Sequence, residues 1–259
     1  MPINESMSSR RPGQLVIEKL LAEQRLIRRR SPLARFFGVS PLGPASRSWY
    51  VGALGEIAVG RILESLPAGW TAFHALPIGT GGSDVDHVVA GPGGVFALNT
   101  KHHAGKKIWV SGRGLLVNGQ STHYISNSEA EAKKITAILR RWAPQAPEAQ
   151  PVIVLVDPSE ISIKKRPDRV EIMDARRLRR WLMKRPTSLD LEQCAGIVRH
   201  LDDPSLWRLE PSAADNSAEL FTELDREVRS ARARQRLWFA VAAVIVIGGS
   251  ICALLWAAR

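Results

Sequence analysis

The chain has 259 residues, 45% of them hydrophobic, an ordinary share for one good-sized folded domain with appendages. Its formal net charge of +11 and pI of about 10.3 call for anionic partners, either nucleic acid or the anionic face of a membrane. The only two cysteines, Cys194 and Cys252, lie in different parts of the chain, which excludes a disulfide framework and a cysteine-based zinc site and fits a reducing compartment.

In chain order, residues 1–45 start polar, continue into a basic amphipathic helix over Gln14–Arg30 and end in a Pro/Gly/Ser-rich link. A second helix over Trp49–Leu66 carries Leu54, Ile57, Ala58 and Ile62 at helical spacing and stops at Pro67-Ala68-Gly69. Gly52 and Gly60 flank Glu56 on its face and would let that face approach a sheet closely. Strands are expected near Thr71–Leu76, Val85–Ala90, Val95–Thr100, Lys107–Val110 and Leu115–Val117, separated by Gly and Asn turns.

The pattern then changes period. Ser128 and Glu131 have the spacing of a capping box, opening a helix that runs to Trp142 and closes at Pro144 and Pro147. Val152–Val156 is a continuous apolar run of the kind found in a strand buried on both faces. Val170–Met173 suggests a further strand, and Asp174–Met183 and Leu189–Leu201 suggest two more helices. Trp109, Trp142 and Trp181 are assigned to the core, and Cys194 to a buried, inert position. After a polar linker at Pro211–Ser217, the Asn216–Glu219 spacing caps a charged helix.

That helix leads into Leu237–Ala258, which has no charged residue and the length of a membrane-spanning helix. Trp238 and Trp256 stand about 27 Å apart at ~1.5 Å per residue, near where indoles sit at bilayer interfaces. Arg226, Arg229, Arg232, Arg234 and Arg236 precede the run and only Arg259 follows it. The expectation is a single-pass, C-terminally anchored protein of the cytoplasmic membrane with its N-terminal domain in the cytoplasm. The bilayer would be one partner, through 237–258, and anionic lipid another.

Residues Val85–Ala90 and Val95–Lys101 read as a hairpin around Gly91-Pro92-Gly93-Gly94. If Ala90 pairs with Val95, Asp86 lies opposite Asn99 and Asp84 opposite Lys101, so all four share one face. His87 then points the other way. Carboxylates, an amide oxygen and an ammonium in one place form the layout a metal-assisted phosphodiesterase needs. The same residues also suit a solvated strand face with weak ion pairs.

Gly55-Glu56, Gly82-Ser83-Asp84-Val85-Asp86-His87-Val88-Val89, Gly91-Pro92-Gly93-Gly94-Val95-Phe96 and Asn99-Thr100-Lys101 resemble the nuclease-related domain, NERD, over about residues 48 to 165. That family is placed in the restriction-endonuclease-like PD-(D/E)xK superfamily. The resemblance implies an α/β fold, a restriction-endonuclease-like mixed sheet flanked by helices, here followed by one C-terminal transmembrane helix. It implies Asp86 as the matching metal ligand, Lys101 as the catalytic cation and Glu56 as a further ligand, with Mg²⁺ or Mn²⁺ as cofactor and DNA or RNA as partner. The motif position that is usually Glu or Asp is here Asn99, whose oxygen ligates a hard cation without adding charge; Asp84 is close enough on the same face to compensate. The alternative is a catalytically degenerate scaffold that binds nucleic acid or a protein partner.

The corresponding domains are a basic N-terminal helix and linker (1–45), the nuclease-related domain (46–165), a basic helical extension (166–210), a linker and juxtamembrane helix (211–236) and the membrane helix (237–258). His102 and His103 are secondary candidates beside Lys101. The basic clusters Lys106-Lys107, Lys164-Lys165-Arg166, Arg176-Arg177 and Arg179-Arg180 suit either a phosphate-tracking surface or anionic lipid.

Overall fold

The computed structural model describes residues 6–79, 84–207 and 216–257, the side chains of 249 and 251–257 excepted. Gly82 and Ser83 of the motif, most of the 211–217 linker and the side chain of Trp256 lie outside the described residues. The helices are α1 (Gln14–Arg25), α2 (Pro32–Phe36), α3 (Pro44–Glu64), α4 (Tyr124–Trp142), α5 (Ala175–Met183), α6 (Leu191–Asp202) and α7 (Ser217–Ala257). The strands are β1 (Thr71–Pro77), β2 (Asp84–Gly91), β3 (Gly94–His102), β4 (Lys107–Ser111), β5 (Gly114–Val117), β6 (Gln120–Thr122), β7 (Ala149–Val156), β8 (Glu160–Lys165) and β9 (Glu171–Asp174). The chain divides into two units, one drawn from residues 1–16 and 50–213, the other from 17–49 and 214–259.

The first unit holds two sheets where one mixed sheet was expected. One has the order β1-β2-β3-β7-β9, antiparallel through β3 and parallel from β3 to β9. The other has the order β6-β5-β4-β8. The second sheet arises because Ile108, Val110, Leu115 and Val117 share one face of β4 and β5 and need a surface to bury it against. They find Ile153 and Leu155 of β7 and Ile172 of β9. Strand β8 escapes a reading of the sequence because its Lys164, Lys165 and Glu160 are those of an exposed edge.

The larger sheet has an apolar layer on each face. Val88, Ala90, Val95 and Ala97 pack against Ile135 and Leu139 of α4 and Ile197 of α6. Val89, Phe96 and Leu98 pack against Val59 and Leu63 of α3 and Leu178 and Leu182 of α5. Gly91 admits no side chain, since a Cβ there would stand 2.5 Å from the Trp70 ring. Trp181 sets its ring edge to face against Phe96, 5.3 Å between centroids, and Cys194 is buried. Trp109 and Trp142 are not core residues: they are 40% and 47% exposed, and Trp142 stacks on His200.

The second unit corrects the expected membrane anchor. Among the described residues no helix is long and apolar enough to cross a membrane. Leu237 begins the late part of α7, whose earlier turns carry Arg226, Arg229, Arg232, Arg234 and Arg236. Trp238, expected at a bilayer interface, donates its indole N–H to the Phe36 carbonyl at 3.0 Å and packs on the Phe36 and Phe37 rings. The transmembrane helix, the single-pass localisation with a cytoplasmic N-terminal domain and the bilayer contact through 237–258 all lose their support.

Within the first unit, His74 of β1 and His87 of β2 are paired in register, with their Nδ1 atoms 2.8 Å apart. One imidazole donates and the other accepts, so the two cannot both be charged. Burial pushes His74 down to about 4, and burial with the neighbouring His74 holds His87 well below its ordinary value. Unfolded imidazoles take up a proton near pH 6.5, whereas the folded pair resists until pH 4 or below. Stability from this pair is therefore present above pH 6.5 and lost as pH falls toward 4, on the order of 2 to 3 kcal/mol for His74 alone. Over that window the melting temperature of the full chain should fall further, or rise less, than that of His74→Gln, and parallel profiles would sink the account.

Candidate functional site

The hairpin register is the one inferred from the turn: Ala90 faces Val95 and His87 faces Leu98. Pairing stops there, one row short of Asp86 and Asn99. On β1, the residue opposite Asp86 is Ala75, which has a φ of +51° and turns its carbonyl to Arg10 Nε at 3.0 Å. An alanine in this left-handed region costs about 1 kcal/mol, so the interruption is held by its surroundings. On β3, the Asp86 carboxylate replaces the missing backbone partner and accepts the Thr100 N–H at 2.5 Å. Asp86 is thereby anchored at the point where the strands part.

Asn99 and Lys101 lie on the sheet face that α4 covers, because they continue the alternation of Val95 and Ala97. Asn99 is 4% exposed, and its Nδ2 donates to both carboxylate oxygens of Glu131 at 2.8 and 2.7 Å. Glu131 was expected to cap a helix with Ser128. Instead α4 begins a turn earlier at Tyr124, and Ser128 is fully buried inside it. Ser128, Ala132, Ile135 and Leu139 form the buried stripe of α4, and Glu131 borders that stripe. A carboxylate bordering an apolar stripe was the available signal, obscured by the capping-box spacing.

Burial raises the Glu131 carboxyl to about 7, against the lowering effect of the Asn99 hydrogen bond; the charges of Asp86 and Asp84 add to the rise and Lys101 opposes it. Those four are therefore its electrostatic neighbours. Asn99 Oδ1 is buried and has no hydrogen-bond partner among the described residues. Oxygen-only donors of this kind suit a hard divalent cation, which keeps several waters of its own. Among the described residues there is no cluster of three His, Cys, Asp or Glu that could hold a metal ion.

The Lys101 ammonium stands 5.1 Å from the centroid of the Tyr124 ring at the start of α4. His103 stacks on the same ring at 5.7 Å. Burial, with help from Lys106 and Lys101, pushes His103 down to about 4, so it is neutral beside two ammonium groups. His102 points elsewhere: its Nδ1 is 3.1 Å from the Val51 carbonyl and its Nε2 3.6 Å from Asp157.

Glu56 is 4% exposed on α3, the helix that packs on the opposite face. It is Gly55 that allows the approach: a Cβ there would meet His102 Cβ at 2.9 Å and Thr100 Cγ2 at 3.3 Å. Gly52 and Gly60 face Val16 and Pro12 rather than the sheet. The structure thus gathers Asp84, Asp86, Asn99 and Lys101 with Glu131, and brings Glu56 to the same end of β3 from the Thr100 and His102 side.

Two outcomes follow. Gly55→Val should lower stability by on the order of 1–3 kcal/mol, while Gly52→Ala, whose Cβ meets only Val16 at 3.5 Å, should not; thermal melts compare them. Glu131, raised to about 7, holds a proton in the folded chain that the unfolded chain releases above about pH 4.5, so its stability contribution is full below pH 4.5 and lost by pH 7. It offsets the histidine pair, and Glu131→Gln should steepen the loss of stability between pH 6.5 and 4.5.

Residues 51–156 match the family model NERD, the nuclease-related domain. No curated protein and no solved structure matches the chain.

Proposed function

We propose that the nuclease-related domain of this chain, residues 51–156, hydrolyses phosphodiester bonds of DNA or RNA with a divalent cation, Mg²⁺ or Mn²⁺. The observation that carries this reading is the clamp of Asn99 on Glu131. A carboxylate missing from the strand position is supplied by α4, beside Asp86 and Lys101.

Asp86, Asn99 Oδ1 and Glu131 would hold the ion, with Asp84 and Glu56 adding negative charge around it. Bound there, the ion would polarise a phosphoryl oxygen and acidify the attacking water. The chain's own groups do the rest. Lys101, held over Tyr124, places a cation where the phosphorane charge develops and donates hydrogen bonds to it. The Thr100 N–H donates to the Asp86 carboxylate and fixes its orientation. Tyr124 and His103 wall the lysine on one side, which restricts its rotamers.

The test is cleavage of labelled plasmid and single-stranded nucleic acid by the full chain with Mg²⁺ or Mn²⁺. Asp86→Ala and Lys101→Ala should each lower the rate at least a hundredfold, and Glu131→Gln by a comparable factor. Asn99→Asp adds a further negative charge to the ion's surroundings and should raise Mn²⁺ affinity by calorimetry; unchanged affinity would remove Asn99 from the ligand set.

A second reading is a scaffold that keeps the fold and binds nucleic acid or a protein partner without cutting. It is favoured by the amide at position 99, whose Nδ2 occupies both Glu131 oxygens. Binding of nucleic acid with no cleavage in either metal would select it.

A further inference from the structure

A cleft of about 550 Å³ opens between β8 and β9, lined by Glu160, Arg166, Glu171, Asp174, Arg176 and Arg177. Both strands are the outer strands of their sheets, so the cleft is the gap between two sheet edges. Its position relative to the candidate site follows from strand register. Lys101 of β3 is level with Leu155 of β7, and Leu155 is level with Asp174 of β9. The cleft therefore begins two strand spacings, about 10 Å, from Lys101. Strands β3, β7 and β9 are parallel, so Lys101 and Asp174 both lie at the carboxyl end of the sheet, where open α/β sheets bind ligands.

The charges in the cleft are matched except for one. Asp174 takes Arg176 Nε and Nη2 at 2.8 and 2.6 Å, Glu171 takes Arg166 at 2.9 Å, and Glu160 lies 3.6 Å from Lys107 outside the cleft. Each carboxylate is thus occupied by a cation, and two guanidiniums are held in fixed orientations with donors to spare. Arg177 has no ion pair among the described residues, and it stands near enough to Asp174 to help hold that carboxyl low. Behind these groups Ile163, Ile172 and Trp181 supply an apolar wall. A surplus guanidinium, two oriented ones and an apolar wall suit a nucleotide: an anionic phosphate with a flat, largely apolar base. The volume is in the range of pockets that take such ligands.

We infer that this cleft binds one nucleotide of the nucleic-acid strand next to the phosphodiester presented to Lys101, with Arg177 on its phosphate and its base against Ile163 and Trp181. This rests on the reading of the domain as one that acts on or binds nucleic acid. It adds a second foothold, distinct from Asp86 and Glu131, which fixes the strand relative to the reacting phosphate.

The experiment uses the full chain in EDTA, so that binding is read without cleavage. Affinity for a labelled 5′-phosphorylated single-stranded oligonucleotide carrying 4-thiouridine is measured by anisotropy, and crosslinked peptides are then mapped. Arg177→Glu should weaken binding at least tenfold, whereas Lys184→Glu, an equal charge change on the same stretch outside the cleft, should weaken it no more than threefold. Crosslinks should fall within residues 158–181. Equal losses for the two variants, or crosslinks that avoid 158–181, would overturn the cleft while leaving nucleic-acid binding standing. A free 5′-mononucleotide binding as tightly as the oligonucleotide would overturn the assignment to a strand. No binding by the parent chain would overturn both this inference and the nucleic-acid reading on which it rests.

Discussion

The hydrogen bonds from the Asn99 amide to Glu131 are the interaction on which the candidate site depends. They join the end of β3 to α4, two elements that also meet through apolar contact and through the Lys101 ammonium against the Tyr124 ring. A carboxylate in that layer is costly unless its oxygens are satisfied. Asn99 satisfies both with one nitrogen, and this lets a charge that burial would otherwise expel stand next to Asp86. The same amide leaves its oxygen without a donor, so the interaction that stabilises the helix carboxylate also produces an unfilled acceptor. A carboxylate at position 99 would repel Glu131 in the absence of a cation; an amide there keeps the layer intact without one.

A second constraint is the interruption of the sheet at the row of Asp86. Ala75 sits at positive φ with its carbonyl on Arg10, and Asp86 takes the Thr100 amide that a regular ladder would have used. Backbone strain of this kind is tolerated where surrounding contacts impose it. The break frees the ends of β2 and β3 to present side chains rather than pair, so polar groups gather there and not in the fully paired rows from His87 to Gly91. Because β3, β7 and β9 are parallel, the loops that leave them emerge on one side. That topology places His102 near Asp157, and Asp174 with its arginines level with Lys101.

Much of this arrangement was legible in local sequence. The turn Gly91-Pro92-Gly93-Gly94 sets the register of β2 on β3, since a short glycine-rich connection leaves few ways to pair the flanking strands. Period-two alternation then separates Asp86, Asn99 and Lys101 from His87. Glu131 was hidden because its spacing from Ser128 satisfied a capping motif equally well, and only packing shows that Ser128 is buried inside the helix. The roles of the glycines were likewise undecidable, as three of them lie on one helix and only contact shows that Gly55 meets the sheet while Gly52 and Gly60 meet the N-terminal segment. The apolar run after Leu237 was read by composition alone, whereas Trp238 is engaged by Phe36 and Phe37, and among the described residues no helix is both long and apolar enough to cross a membrane.

The sequence by itself determined the strands of the larger sheet with β4 and β5, their faces and the residue types at the end of β3, because alternation and turn chemistry act over a few neighbouring residues. Tertiary structure alone decided which carboxylate joins them, that the strands split into two sheets, and that two sheet edges leave a cleft level with Lys101. Those outcomes depend on contacts between residues 30 or more positions apart, such as Asn99 with Glu131, and local pattern carries no information about which distant side chain arrives.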